Sequence, residues 1–224
     1  MPRVGIYLFL LGLACGITVL TTLGYRHVTP SWLRGFLIAT GLFTASRYVA
    51  MALFTAADAP SRFWGWHYCW FASSLGLTIP SVFAVDQLLR HPAMTPTKLL
   101  RWCAPLIAIY AAVILFGRVS PGQDPLGWVV RLSGPWRLAL SVTQGLFVVS
   151  FISTCGLFMV KVPSRPIRIG LFGLALAQSY LALDGIILAL GHAYFRPYLY
   201  SDILALLAIW FAFETGAALQ QQSL

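Results

Sequence analysis

Four side chains capable of ionic or hydrogen-bond chemistry, Arg47, Gln144, Asp184 and Asp202, lie inside long apolar stretches of the sequence. A charge at the centre of a bilayer costs about 2.5–3.5 kcal/mol even on the lenient insertion scale, so each must face inward and find a partner. Arg47 with Asp184 or Asp202 is the natural pair, which leaves one carboxylate for another donor. Such a set can clasp helices together as a buried ion pair. It can also bind a polar ligand arriving from outside, or carry protons. Glu214, Asp86 and Gln178 add polar groups along the same helices, so residue types alone allow a proton relay through Asp184 and Asp202, although no spacing demands one. Salt bridges to Arg34, Arg90 and Arg101 account for Asp86 and Glu214 more simply.

Two further candidates, Trp66 and His67, belong to the densest aromatic run, Trp64-Gly65-Trp66-His67-Tyr68-Cys69-Trp70-Phe71. Such a run either lines a ligand cavity near one face of a membrane or forms the aromatic belt at headgroup level. His67 and His192 fall towards one side, and His27 and His91 towards the other. Bis-histidine haem ligation needs paired histidines on facing helices. His27, His91 and His192 occupy loops or helix ends, so haem is not favoured. No HxxxH or HExxH spacing supports a zinc hydrolase. Cys15, Cys69, Cys103 and Cys155 lie within or at the start of apolar runs without a CxxC pair, and read as small packing residues.

The elements that must position these groups follow from composition. Hydrophobic residues make up 59% of the 224 positions and charged residues 9%. No water-soluble domain of this size has interior enough for that, so lipid is the expected solvent. Seven apolar runs are long enough for helices: Val4–Tyr25, Gly35–Ala57, Phe63–Leu89, Trp102–Gly117, Leu138–Val162, Ile169–Gly191 and Arg196–Leu219. Open strands cannot leave backbone groups unpaired in hydrocarbon, so the expected fold is all-α, a single seven-helix transmembrane domain over 1–224. The fourth run is short, but Thr95-Pro96 supplies an N-cap and a first-turn proline, so its helix should begin earlier and carry Lys98 and Arg101. Pro80 should kink the third, with Thr78 and Ser81 beside it to satisfy the freed backbone. Gly12-xxx-Gly16 and Gly173-xxx-Ala177 would permit close helix approach. The stretch from Arg118 to Arg137, with Trp128, Val129, Val130 and Trp136 among prolines and glycines, should cap the surface without crossing. Arg3 precedes the first run, which is too long for a signal core and reads as a retained helix.

Charge asymmetry sets orientation. Arg26, Arg34, Arg90, Lys98, Arg101, Lys161, Arg165 and Arg168 lie on one side with no acid among them. Arg3, Arg62, Arg118, Arg131, Arg137 and Arg196 lie on the other, with Asp58 and Asp124. The first side is therefore expected to be cytoplasmic, with the N-terminus outside and the C-terminus inside. Trp64, Trp66 and Trp70, with Tyr194, Tyr198 and Tyr200, suit the outer boundary. The net charge of +9 is spread singly between apolar runs, which excludes a nucleic-acid interface. At ~1.5 Å rise per residue, Arg47 sits ~18 Å and Asp184 ~22 Å from the cytoplasmic edge. Asp202 and Gln144 sit ~9 Å below the outer edge of a ~30 Å core. All four groups share one layer in the outer half.

Seven spans in this orientation resemble rhodopsins, and Arg47-Tyr48 resembles an arginine-tyrosine pair of that family. The pair lies on the second span here, and the only lysines, Lys98 and Lys161, lie outside the seventh, so covalent retinal is excluded. Two stretches, Trp64–Arg101 and Leu138–Leu190, resemble uncharacterised bacterial seven-span proteins and the seven-helix input modules of bacterial signalling proteins. The latter stretch includes Val142-Thr143-Gln144-Gly145-Leu146 and Ser164-Arg165-Pro166-Ile167-Arg168-Ile169-Gly170-Leu171-Phe172-Gly173. The resemblance is one of pattern and loop character, and it implies a bacterial inner-membrane protein without naming a ligand. No output domain is expected after Ala217. The expected function is a sensing or accessory protein acting through a partner membrane protein or a homo-oligomer. Its ligand site would use Arg47, Asp184, Asp202 and Gln144, with Trp66 and His67. A small-solute transporter or proton-coupled channel, and a structural subunit of a membrane complex, are the alternatives.

Overall fold

The computed structural model describes residues 2–90, 94–189 and 199–221. His91, His192, Tyr194, Arg196 and Tyr198 lie outside the described residues. The chain forms α1 (Pro2–Gly24), α2 (Ser31–Ala56), a 3-10 segment (Pro60–Cys69), α3 (Ser73–Gly76), α4 (Thr78–Leu89), and α5 (Pro96–Phe116). A hairpin of β1 (Val119–Asp124) and β2 (Gly127–Leu132) follows, then α6 (Gly134–Lys161), α7 (Arg165–Ala189) and α8 (Tyr200–Gln221). Seven helical segments among the described residues are long and apolar enough to cross a membrane, the third being the composite Pro60–Leu89.

Each difference from the expected boundaries has a local cause. Helix α5 does begin at Pro96, where the Thr95 hydroxyl accepts the Lys98 backbone N–H at 3.4 Å and proline fills the first turn. Helices α6 and α7 start about one turn before the apolar runs expected at Leu138 and Ile169, because Pro135 and Pro166 suit a helix's first turn. The third run is not one helix. Pro80 has no N–H for the Gly76 carbonyl and its ring crowds it, so the chain breaks at Leu77, between α3 and α4. Upstream, Phe63 is non-helical (φ −122°, ψ 19°), and Pro60–Cys69 winds as 3-10 helix.

At the break, the Leu77 carbonyl accepts the Ser81 hydroxyl at 2.7 Å and the Gln178 side-chain amide at 3.1 Å. Ser81 thus acts as the sequence suggests, whereas the Thr78 hydroxyl has no partner among the described residues. Hydroxyls elsewhere bond back to their own helices, as Thr18 does to the Ala14 carbonyl and Thr44 to that of Thr40. An apolar setting with no water to share demands this.

The all-α expectation fails at 119–132. There the chain forms an antiparallel hairpin, Val119 opposite Leu132 and Asp124 opposite Gly127. The Asp124 carboxylate accepts the Leu126 N–H at 3.3 Å across the two-residue turn. Gly127 follows at φ +118°, a conformation that favours glycine, and a Cβ there would lie 2.8 Å from Thr55 Cα. The tip is thereby seated against the end of α2. Leu126, Val129 and Val130 are buried, so the segment folds down onto the bundle instead of lying along its surface.

Helix α1 packs on α2 and α8; α6, α7 and α8 are successive neighbours; α4 runs between α5, α7 and α8. From Thr78 to Val85 every residue of α4 is buried, as an all-round apolar helix must be. The expected glycine contacts do not form. Gly12, Gly16 and Gly173 have nothing within 4 Å of where a Cβ would stand. Gly12 and Gly16 lie on the exposed side of α1, opposite Leu11, Ala14 and Thr18. Close approach occurs instead at Gly41 against Thr22 and at Gly76 against Thr44, where a Cβ would overlap the threonine side chain.

The core divides in two. One cluster, at the end away from the hairpin, gathers Tyr25, Leu37, Phe83, Phe151, Leu171 and Phe213. The other surrounds Tyr48 and Met51 with Tyr7, Leu11, Leu77, Leu126 and Leu206.

Candidate functional site

Between the second cluster and the hairpin lies a cavity of about 570 Å³. Arg47 reaches it from α2, Trp70 and Phe71 from the turn before α3, and Ser73 and Ser74 from α3 itself. Arg137, Ser141 and Gln144 come from one side of α6, Asp184 and Gly185 from α7, and Asp202 from the first turn of α8. The hairpin covers it with Asp124 and Val129–Leu132.

The guanidinium of Arg47 forms an ion pair with Asp202, whose side chains are only 16% and 6% exposed. Arg47 Nε donates to the Trp70 carbonyl at 3.1 Å. That carbonyl is open to a side-chain donor because Trp70 lies in the turn between the 3-10 segment and α3. Tyr48, adjacent to Arg47, donates its hydroxyl to Asp202 at 3.3 Å. One carboxylate thus ties α2 to α8 through two neighbouring side chains, and the arginine ties both to the broken third span. A buried pair with this many supplementary hydrogen bonds meets the condition for offsetting its desolvation.

Asp184, half-buried, accepts the Ser201 hydroxyl at 2.8 Å. Ser201 and Asp202 are consecutive at the start of α8, so that turn donates to one carboxylate and presents the other. Gln144 lines the cavity and makes no hydrogen bond to a described residue. The structure therefore brings together Arg47, Asp184, Asp202 and Gln144, drawn from α2, α6, α7 and α8.

Trp66 and His67 are not part of this wall. His67 Nδ1 meets the Trp64 carbonyl, and its ring lies 5.0 Å from that of Trp64 and 3.9 Å from that of Tyr68. Trp66 is exposed. The 3-10 winding turns these residues into a self-stacked patch beside Phe54, and it is Trp70 and Phe71 that reach the cavity. His27 sits at the opposite end, where Arg26 Nε donates to its Nε2 at 2.8 Å.

The polar groups further along do not form the expected salt bridges. Asp86 and Glu214 make no ion pair with a described residue, and Arg90 reaches the Gln220 side chain at 2.7 Å instead. Gln178 is fully buried; its amide donates to the Leu77 carbonyl and, at 2.9 Å, to Ser81, while its own oxygen has no partner among the described residues.

Sequence reasoning missed Tyr48, Ser201, Arg131 and Arg137 as parts of the site. The adjacency of Tyr48 to Arg47 and of Ser201 to Asp202 was the available signal. Arg131 and Arg137 read as topology charges, because nothing in the sequence shows a hairpin folding back over the bundle. No protein-family model matches this chain, and no curated protein matches it either.

Proposed function

We propose that the chain is an integral protein of a bacterial inner membrane, with the hairpin end outside. It receives a small polar ligand in the cavity between α2, α6, α7 and α8 and acts as a sensing or accessory protein on a partner membrane protein. The observation that carries this reading is the cavity itself. A space of about 570 Å³ is within the range of ligand sites, and its few charged groups converge from separate helices on a largely apolar wall. Insertion in lipid is supported by the seven apolar spans and by the outward side chains: Phe9, Leu115 and Val160 are 70%, 72% and 88% exposed. Orientation rests on the eight acid-free bases at the opposite end.

A ligand held between α7 and α8 would be coupled to α2 through the Arg47–Asp202–Tyr48 contacts, which gives the site a route to the bundle's outer surface. The test is what co-purifies. Protein extracted from native membranes should carry a small molecule detectable by mass spectrometry, and Gln144→Trp, which puts a bulky ring into the cavity from its α6 wall, should reduce it. Equal recovery from both proteins, or none from either, would sink the reading. Orientation is checked with a membrane-impermeant thiol reagent on intact cells, expected to label Gln123→Cys and to spare Arg165→Cys.

A transporter is the second reading, favoured by the break at Leu77. Discontinuous helices beside a central site recur in secondary transporters. Solute flux into liposomes that responds to Asp184→Asn would favour it over sensing.

A further inference from the structure

The ligand's chemistry can be narrowed by asking which charges in the cavity remain unused. This step rests on the ligand-binding reading above. Among the described residues three arginines and three aspartates line the space, which balances their formal charge, yet they are not equivalent. Arg47 and Asp202 neutralise each other at the buried end. Asp124 is engaged at the hairpin turn. Three groups are left. Asp184, half-buried, has a single donor among the described residues, Ser201, on one of its two oxygens, although a carboxylate accepts about four hydrogen bonds. Arg131 and Arg137 are exposed at the mouth, and neither guanidinium makes a hydrogen bond or an ion pair with a described residue.

The free charges are thus segregated by depth, with a carboxylate inside and two guanidinium groups at the rim. An anion alone would gain from the rim and be repelled by Asp184. A simple cation would have to pass two arginines to reach that carboxylate. A molecule bearing both charges satisfies the two ends together. Between them the walls are apolar, formed by Phe71, Leu140 and Leu181.

We infer that the cavity takes an amphoteric ligand, one with a primary ammonium group, an acidic carboxylate or phosphate group, and an apolar portion. The ammonium meets Asp184 while the acidic group meets Arg137 and Arg131. Planar guanidinium groups suit either acid, since both present paired oxygens. Two sources supply this chemistry: a free amino acid from the aqueous side, or the headgroup of an aminophospholipid from the surrounding leaflet.

The test separates them. In phosphatidylcholine nanodiscs, L-leucine is titrated against isoamylamine, which lacks the carboxylate, and 4-methylpentanoate, which lacks the ammonium. In parallel, protein from mixed phosphatidylethanolamine and phosphatidylglycerol membranes is delipidated, and its retained lipid is identified by native mass spectrometry. The expected result is either leucine binding at least about tenfold tighter than both half-molecules, or selective retention of phosphatidylethanolamine. The first identifies a free amphoteric solute and the second a lipid. In either case Asp184→Asn removes the preference for the ammonium, and Arg137→Gln, an exposed substitution that spares the core, weakens binding of the acid. Binding of 4-methylpentanoate as tight as leucine without phosphatidylethanolamine retention, or a preference unchanged in both variants, overturns the amphoteric assignment and leaves a ligand cavity of another class. If no probe binds, no lipid is retained and nothing co-purifies from native membranes, the ligand reading falls with it.

Discussion

The two halves of the bundle solve opposite packing problems with the same helices. Away from the hairpin, α4–α8 and the end of α1 close on one another through large rings. Tyr25 meets Phe213 at 4.8 Å, and Trp102 meets Phe147 at 4.9 Å. Phe83 and Phe151 are each only 1% exposed there. Towards the hairpin, α6, α7 and α8 leave a cavity with α2 and α3, and arginines and aspartates are placed around it. The two glutamines show the contrast within one residue type. Gln178 is fully buried with its amide committed to Leu77 and Ser81, whereas Gln144 stands in the cavity wall with no hydrogen bond to a described residue. One half is closed by packed rings; the other places its polar groups around a cavity, where the proposed ligand would meet them.

The sharpest way to break that division is to show that the Arg47–Asp202 pair is dispensable. Asp202→Ala would leave the guanidinium buried without its counter-charge, and the bundle should lose about 3–5 kcal/mol, read from unfolding in detergent or bicelles. The double replacement Arg47→Met with Asp202→Leu should recover most of that loss, because it removes both charges together. A single variant as stable as the parent would mean that the pair is solvated through the cavity, and that the open half extends deeper than its side-chain burial indicates.

In the closed half, Phe83→Ala tests packing alone. In the proposed membrane setting lipid tails are about as apolar as the buried ring, so transfer contributes little, and the loss comes from the void. A void of roughly 80–100 Å³ at ~24 cal/mol per Å³ gives about 2 kcal/mol. A much smaller loss would mean that the ring cluster is loose, and the contrast between the halves would narrow.

The hairpin gives a smaller and local effect. Gly127→Ala forces a side chain into positive φ and against Thr55. It should cost about 1–2 kcal/mol, confined to the hairpin's docking. Hydrogen exchange should quicken over 119–132 while α4 keeps its protection. Faster exchange in α4 as well would mean that the hairpin stabilises the whole bundle.

Much of this arrangement was legible from residue types. The helical spans follow from length and apolarity, since no other structure satisfies the backbone in hydrocarbon. The level shared by Arg47, Asp184, Asp202 and Gln144 follows from the helical rise. What escaped depends on interactions with no sequence period. At the break, the Leu77 carbonyl accepts the side-chain amide of Gln178, 101 residues away. The hairpin strands are short and contain Pro121 and Gly122, residues depleted in strands, so nothing local marks them. Choosing Asp202 over Asp184 for Arg47 also required the position of α8, which is set by its packing on α1, α4 and α7. The aromatic run misled for a related reason: whether Trp66 or Trp70 reaches inward is decided by 3-10 winding, and hydropathy cannot distinguish that from an α-helix.

The mildest substitution tests the separation of roles most directly. Gln144→Ala removes a half-buried amide from the cavity wall without orphaning a described donor or acceptor, so stability should change by less than about 0.5 kcal/mol. Ligand occupancy should nevertheless change, because Gln144 lies on the same wall as Ser141 and Arg137, each about one helical turn or two apart along α6. The measurement is a pair of readings on one sample: the unfolding midpoint, and the amount of small molecule retained through purification. Unchanged stability with reduced retention places Gln144 in a site that the fold does not require. A fall in stability of 2 kcal/mol or more would instead give Gln144 a structural role like that of Gln178. The open half would then be a second, polar core with an imperfect fit.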